Sequence, residues 1–195
     1  MCSSDLYGGF GFCNDSTTIV DCVITGNNAS TAGGGLYANG GPLILSGCTV
    51  SDNYTVFAGG GVAFNGISSA NSRYRLEATS CVFERNSNVY GPVDILLYTN
   101  NSAYLTDCKV DVMGVSGGLC VLSGSNVIGK LAGSSGYVNI TSGASITLTS
   151  SIVPGGSITV LEGGCTINNK TVSANTYSSI VNSGGTLYID GNPVE

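Results

Sequence analysis

The sequence predicts an all-β solenoid, a parallel β-helix, and three observations lead to this fold class. Gly-Gly pairs that begin at Gly8, Gly34 and Gly60 recur every 26 residues. Apolar residues alternate with polar ones in short runs between these pairs, which is the pattern of half-buried strands. The chain of 195 residues has 30 glycines and only 9% charged residues. A fixed period of this length is typical of repeats that stack to share one core.

The composition also excludes several classes of structure and function. Strong helix formers are scarce, so long amphipathic helices are not expected. The chain has no histidine, which excludes chemistry that needs an imidazole base or ligand. A net charge of −6 with six scattered cations does not suit nucleic acid, where phosphate contacts supply most of the affinity. No apolar stretch approaches the roughly 18 residues of a membrane-spanning helix.

The strands follow from one pattern that surrounds four cysteines. Two alternating apolar residues precede a two-residue spacer, then come the cysteine, another apolar residue and an asparagine. The second repeat has the whole pattern, from Leu43 through Cys48 to Asn53. The spacer shifts the alternation, so it predicts a bend between two short strands, and Gly35–Ala38 predicts a third. In the fourth repeat Met113 stands at the asparagine position.

Stacked repeats place equivalent side chains above one another, about 4.8 Å apart. We therefore expect a structural ladder of cysteines and asparagines, in which amides pair along the stack and satisfy backbone groups of the turns. Its members are Cys22, Cys48, Cys81, Cys108, Asn27, Asn53 and Asn86. A β-sandwich is the alternative fold, although sandwiches do not usually repeat at a fixed period.

The repeats divide the chain into a regular and a narrower part. We expect 26-residue coils over residues 7–113 and narrower coils over residues 114–190, within a single domain of about seven or eight coils. Residues 191–195 are expected to leave the last strand as a tail. Residues 1–6 match the translation of a common sequencing adapter, so we interpret them as an artefact that precedes native sequence.

Two glycine-rich segments and one tetrapeptide resemble the repeats of a known family. Gly33-Gly34-Gly35-Leu36 and Gly59-Gly60-Gly61-Val62 resemble degenerate GGA[ILV] motifs, and Phe83–Asn86 matches FxxN. This combination is similar to the polymorphic outer membrane protein repeat, within the right-handed parallel β-helix (pectate-lyase-like) superfamily. The resemblance covers roughly residues 7–113. It implies a right-handed coil and a bacterial surface or secreted protein of the adhesin type.

The cysteines and carboxylates give no pattern of a reactive centre. Seven cysteines beyond Cys2 form an odd set at repeat spacing, which favours buried free thiols over a disulfide framework. Metal ligands usually cluster at short spacing, so no metal site is expected. The carboxylates do not align in neighbouring repeats as a glycosidase or a calcium-dependent lyase would require. We therefore expect no catalytic residue and no cofactor.

One charged group beside a seven-residue insertion is the candidate loop for a ligand or partner. Its members are Arg73, Arg75, Glu77, Glu84 and Arg85. A solvated loop with surface ion pairs is the simpler interpretation. The sequence thus suggests a fragment of an extracellular or cell-surface protein with a structural or adhesive role. Its partner would be a host-surface or matrix protein or a glycan, without nucleic acid or direct membrane insertion. A non-catalytic part of a polysaccharide lyase or glycoside hydrolase is the alternative, and a phage tail spike is a third.

Overall fold

The computed structural model describes residues 9–13, 16–65, 75–98, 101–115 and 119–133, followed by separate strands up to residue 194. Side chains are described at residues 9, 16–65, 75–98, 101–114 and 119–129. The described residues are almost all in strands and turns, and they include no helix. Residues 1–6 and the insertion around residues 66–74 lie outside the described residues.

The strands of the N-terminal part are short, between two and five residues each. They are β1 (Phe10–Cys13), β2 (Thr17–Val20), β3 (Val23–Thr25), β4 (Asn28–Ala29), β5 (Leu36–Asn39), β6 (Leu43–Ser46), β7 (Thr49–Ser51), β8 (Tyr54–Thr55), β9 (Val62–Asn65), β10 (Arg75–Thr79), β11 (Val82–Glu84), β12 (Ser87–Asn88), β13 (Gly91–Pro92), β14 (Ile95–Leu97) and β15 (Ser102–Thr106). The first three repeats therefore contribute two-residue strands in addition to the three strands that the sequence predicts.

The strands of the C-terminal part include three longer ones. They are β16 (Lys109–Val115), β17 (Leu119–Ser123), β18 (Ser125–Gly133), β19 (Tyr137–Ile140), β20 (Ala144–Ile152), β21 (Ser157–Val160), β22 (Gly163–Ile167), β23 (Ile180–Asn182), β24 (Thr186–Ile189) and β25 (Asn192–Val194). The last of these lies within the expected tail, and β25 pairs antiparallel with β24. The sequence between them contains Asp190-Gly191, a pair that favours hairpins, and Pro193 is tolerated because β25 is an edge strand.

Three sheets are formed in the described part of the chain. Sheet 1 has 13 strands and follows the order β1-β5-β9-β14-β16-β18-β20-β22-β24-β25, with β3, β7 and β11 joined to it through β16. Sheet 2 has eight strands in the order β2-β6-β10-β15-β17-β19-β21-β23. Sheet 3 has the four short strands β4, β8, β12 and β13. Apart from β13 and β25, which pair antiparallel with β12 and β24, the strands pair with their equivalents in neighbouring repeats.

The pairing is parallel and in register in nearly every case. In sheet 2, Leu43 pairs with Leu76, and Leu76 pairs with Ala103. Parallel sheets of this kind differ from the antiparallel sheets of a β-sandwich. The architecture is therefore all-β with parallel sheets built from successive repeats.

The main apolar core runs between the sheets, and a smaller apolar cluster forms around Ala32, Ala58 and Ala63. In β6, β10, β15 and β17 of sheet 2, buried residues alternate with exposed or half-buried ones, as in β10, where Leu76 and Ala78 are buried and Arg75 is exposed. Equivalent residues of β6 and β15 are buried in the same positions. Because inward side chains lie above one another, each repeat covers the apolar surface of the next, and burial supplies about 25 cal/mol per Å².

The bend that the two-residue spacer predicts is a column of left-handed residues. Positive φ values of 50–66° occur there at Asp21, Gly47, Ser80, Asp107 and Gly124. Left-handed backbone costs an L-residue roughly 1–2 kcal/mol, and glycine and aspartate are common in it. In these five repeats the column separates sheet 2 from sheet 1.

The glycine pairs are required by close approach between repeats. A Cβ on Gly34 would lie 2.3 Å from the carbonyl oxygen of Gly60. A Cβ on Gly60 would in turn lie 2.3 Å from the backbone nitrogen of Ser87. Real Cβ atoms do not approach backbone this closely. At the repeated glycines, the backbone of one repeat therefore packs directly against the backbone of the next.

Candidate functional site

The structure divides the charged candidate group into two parts. Arg73 lies outside the described residues. Arg75 and Glu77 are on β10 in sheet 2, whereas Glu84 is on β11 in sheet 1 and Arg85 follows it. Among the described residues, ion pairs form within each part and none joins the two. The bend at residue 80 explains the separation, because it turns the chain from one sheet to the other.

The first part lies on the outward face of sheet 2. Arg75 forms an ion pair with Glu77, two residues away on the same face. The guanidinium also lies over the ring of Tyr104, 5.8 Å from its centroid, a cation–π arrangement. Glu77 is paired directly with Tyr104 across the sheet. The two charges and the ring therefore form one compact outward group.

The second part is an ion-pair network along β7, β11 and β16. Arg85 binds both carboxylate oxygens of Asp52 at 2.9 Å and also pairs with Glu84. Lys109 contacts Glu84 at 2.6 Å and Asp111 at 3.7 Å. Hydrogen bonds from Arg85 lower the pKa of Asp52, and those from Lys109 and then Arg85 lower the pKa of Glu84. Ion pairs this exposed add little to the free energy of folding, so the network is a feature of the protein surface and not a main source of stability.

The cysteine column is buried except at its first member. Cys48, Cys81 and Cys108 are at most 2% exposed, whereas Cys22 is exposed because no described repeat covers it. The backbone nitrogen of Cys48 donates to Sγ of Cys81 at 3.4 Å. The hydrogen bond between Cys81 and Cys108 raises the pKa of Cys81, which burial raises further, and it lowers the pKa of Cys108. Burial keeps the thiols of Cys48, Cys81 and Cys108 away from reagents in solution.

The asparagine column is a continuous chain of hydrogen bonds. Oδ1 of Asn53 accepts from the backbone nitrogen of Asn27 at 3.0 Å and from its Nδ2 at 2.9 Å. Nδ2 of Asn53 donates to Oδ1 of Asn86 at 2.9 Å and to the carbonyl of Ile24 at 2.9 Å. Asn53 and Asn86 are each 1% exposed. Every polar atom of the Asn53 side chain is therefore paired along the stack.

The fourth position of the asparagine column is filled by Asp94, which the sequence pattern does not identify. Oδ1 of Asp94 accepts from the backbone nitrogen of Asn86 at 3.0 Å and from its Nδ2 at 2.7 Å. Oδ2 accepts from the nitrogen of Val112 at 2.6 Å. Met113, expected at this position, pairs with Ile95 instead. Burial raises the pKa of Asp94, while these hydrogen bonds act in the opposite direction.

The reason for this substitution is that the repeats shorten at β16. This strand runs without a turn from Lys109 to Val115, so it pairs with both β11 and β14 and omits the sheet 3 segment. Asp94 lies between a repeat that includes a sheet 3 segment and the next repeat, which omits it. Its two carboxyl oxygens accept hydrogen bonds from the backbone N–H groups of Asn86 and Val112, one from each repeat.

The cysteine column also ends in a different residue. Oδ1 of Asn126 accepts from the nitrogen of Cys108 at 2.9 Å, 18 residues away. Its Nδ2 donates to the carbonyl oxygen of Ser123 at 2.7 Å. The thiols of Cys48 and Cys81 make a similar hydrogen bond, each to the carbonyl oxygen two residues before it. Asn126 thus replaces cysteine where the repeat narrows. The apolar pattern of Leu122 and Ile128 around it is the sequence signal for this position.

The comparisons with known proteins identify no relative of this chain. No protein-family model matches it, no curated protein matches it, and no solved structure matches it. Among the described residues, no group of three or more His, Cys, Asp or Glu is placed to hold a metal ion. Nor does that part of the chain contain a helix with the length and apolar character needed to cross a membrane.

Proposed function

We propose that this chain is a segment of a right-handed parallel β-helix with a structural or adhesive role at a bacterial cell surface. The glycine-rich segments and FxxN motif described above support a kinship with the polymorphic outer membrane protein repeat. The proposed partner is a host-surface or matrix component that contacts the outward side chains. In this role the stacked repeats serve as a rigid support.

The observation that carries the proposal is the column of in-register repeats with paired polar groups inside it. Asn27, Asn53, Asn86 and Asp94 link four successive levels of backbone by side-chain hydrogen bonds. Buried networks whose members are all satisfied rigidify a structure. A stiff support of this kind is useful where a surface must be held away from a cell.

The carboxylates support this role over an enzymatic one. Glu77, Glu84 and Asp52 are ion-paired, and Asp94 is buried among backbone donors. A glycoside hydrolase needs two carboxyl groups facing one substrate site, about 5–10 Å apart. The alternative is that the chain is a non-catalytic part of a polysaccharide lyase or glycoside hydrolase. Only the resemblance between the fold proposed for this chain and the β-helix fold of such enzymes supports it.

An adhesion assay with a matched activity assay tests the proposal. Beads coated with the purified chain are applied to surfaces of fibronectin, collagen, mucin and cultured epithelial cells, with albumin-coated beads as control. The same protein is incubated with polygalacturonate and xylan, and new reducing or unsaturated ends are measured. We expect adhesion above the albumin control and no release of sugar ends. Release of sugar ends, or adhesion equal to albumin on every surface, would overturn the proposal.

A further inference from the structure

Sheet 2 has an outward face on which equivalent side chains form regular columns. One column carries a hydroxyl group in four consecutive strands, at Ser46, Thr79, Thr106 and Ser123. The hydroxyl oxygens of Thr106 and Ser123 are 2.6 Å apart. Neighbouring strands lie about 4.8 Å apart, so the hydroxyls form a straight row along the stack.

The adjacent column contains an exposed aromatic ring. It consists of Ile44, Glu77, Tyr104 and Val121, two residues earlier in each strand than the hydroxyl row. Tyr104 is 40% exposed, and Arg75 lies over its ring.

The charge on this face is balanced. Arg75 is paired with Glu77, and the hydroxyl row is neutral. The chain as a whole carries a charge of −6, which repels polyanions. An uncharged ligand with many hydroxyl groups therefore complements the face better than an acidic glycan. The apolar side chains described on this face lie in two groups on either side of the charged pair, so they offer an apolar peptide no continuous surface. They are Val20 and Ile44 on one side and Leu119 and Val121 on the other.

We infer that this outward face, defined by Arg75, Glu77, Tyr104 and the hydroxyl row, binds a neutral glycan. The C–H face of a sugar ring packs on Tyr104, whose amphipathic ring suits a wet surface. Sugar hydroxyl groups exchange hydrogen bonds with Thr106, Ser123 and the Arg75–Glu77 pair. This inference rests on the proposed adhesive function and names the class of its ligand.

Glycan-array binding by the full chain tests the inference, with neutral and uronic-acid-containing oligosaccharides as probes. Affinity for the strongest neutral probe is then measured for three variants whose far-UV circular dichroism matches the parent. We expect Tyr104→Ala to weaken binding by about tenfold or more and Tyr104→Phe to remain within about threefold. Tyr54→Ala, which removes an exposed tyrosine of sheet 3, is the matched control and should leave binding unchanged.

The outcomes separate this inference from the proposed function. Binding of no neutral glycan, preference for acidic glycans, or neutral binding that Tyr104→Ala leaves intact would overturn the inference. If beads adhere while the array shows no neutral binding, only the glycan assignment fails. If neutral glycans bind through Tyr104 but beads do not adhere, the glycan face stands and the adhesive function fails.

Discussion

Removing the Asn53 side chain interrupts the asparagine column at its centre. The Asn53→Ala variant loses four hydrogen bonds, two to Asn27 and one each to Ile24 and Asn86. A net contribution of about 1 kcal/mol for each bond gives about 4 kcal/mol. Asn27 is only half-buried, so water replaces part of its loss. We therefore expect the free energy of unfolding to fall by about 3 kcal/mol.

Urea denaturation followed by far-UV circular dichroism measures this loss. The matched control is Asn28→Ala, because Asn28 is the next residue and its side chain is exposed. Its effect should stay within about 0.5 kcal/mol. A second variant, Asn53→Asp, keeps the size of the side chain but places an oxygen against the acceptors of Ile24 and Asn86. It should destabilise the fold at least as much as alanine does.

Two results would refute this account of the column. Asn53→Ala could unfold at the same urea concentration as the parent with an unchanged slope, which would mean that the column contributes nothing measurable. Alternatively, Asn53→Asp could be tolerated at neutral pH. The donor at Nδ2 would then be unnecessary, and the hydrogen-bond assignment would be wrong.

Three further predictions concern other parts of the stack. In the native chain a thiol reagent should label Cys22 rapidly and Cys108 only after unfolding, as mapped by mass spectrometry, because burial protects the second thiol. Gly60→Ala should lower the free energy of unfolding by about 3 kcal/mol in urea, whereas Gly26→Asn, in open space, should change it by less than about 1 kcal/mol. Asp94→Asn should change the dependence of stability on pH. Because the pKa of Asp94 is raised in the folded state, the contribution of Asp94 to stability is largest in acid and is lost as the pH rises. The free energy of unfolding of the parent minus that of the variant, measured by urea titration, should therefore decrease between about pH 3 and about pH 7.

Each of these predictions has a result that contradicts it. Equal labelling rates for Cys22 and Cys108 in the native state would show that the column is open. Equal effects of Gly60→Ala and Gly26→Asn would show that repeats do not approach closely at Gly60. A parent-minus-variant stability difference that grows with pH would show that the folded state prefers ionised Asp94.

The sequence was most informative where repeats share both length and side chains. Cys22 and Cys48 are 26 residues apart, and the residues that follow them, Val23 and Thr49, pair in parallel register, because a parallel stack keeps equivalent residues together. The bend before each cysteine was also predictable from the shift in alternation. The sequence does not predict the short strands of sheet 3, such as β8, because a strand of two residues is too short to show an alternation of apolar and polar residues.

The rest depends on where the chain leaves its own repeat. Counting residues assigns Met113 to the asparagine column, but the omitted sheet 3 segment moves Asp94 into that place. Asn126 fills the cysteine position for the same reason, since its repeat spans 18 residues instead of 26. The candidate charged group was split because Arg75 and Glu84 are close in sequence but belong to different sheets. Residues that are close in sequence but lie on opposite sides of a bend can therefore be in different sheets.

The central claim is that successive repeats lie in parallel register, and backbone nuclear Overhauser effects test it directly. In a uniformly labelled sample, the account predicts interstrand contacts between the backbone protons of Ile44 and Glu77, Glu77 and Tyr104, and Tyr104 and Val121. These contacts should continue in the same direction along each strand. Contacts that run in opposite directions along paired strands, or that join residues one position out of register, would contradict the account.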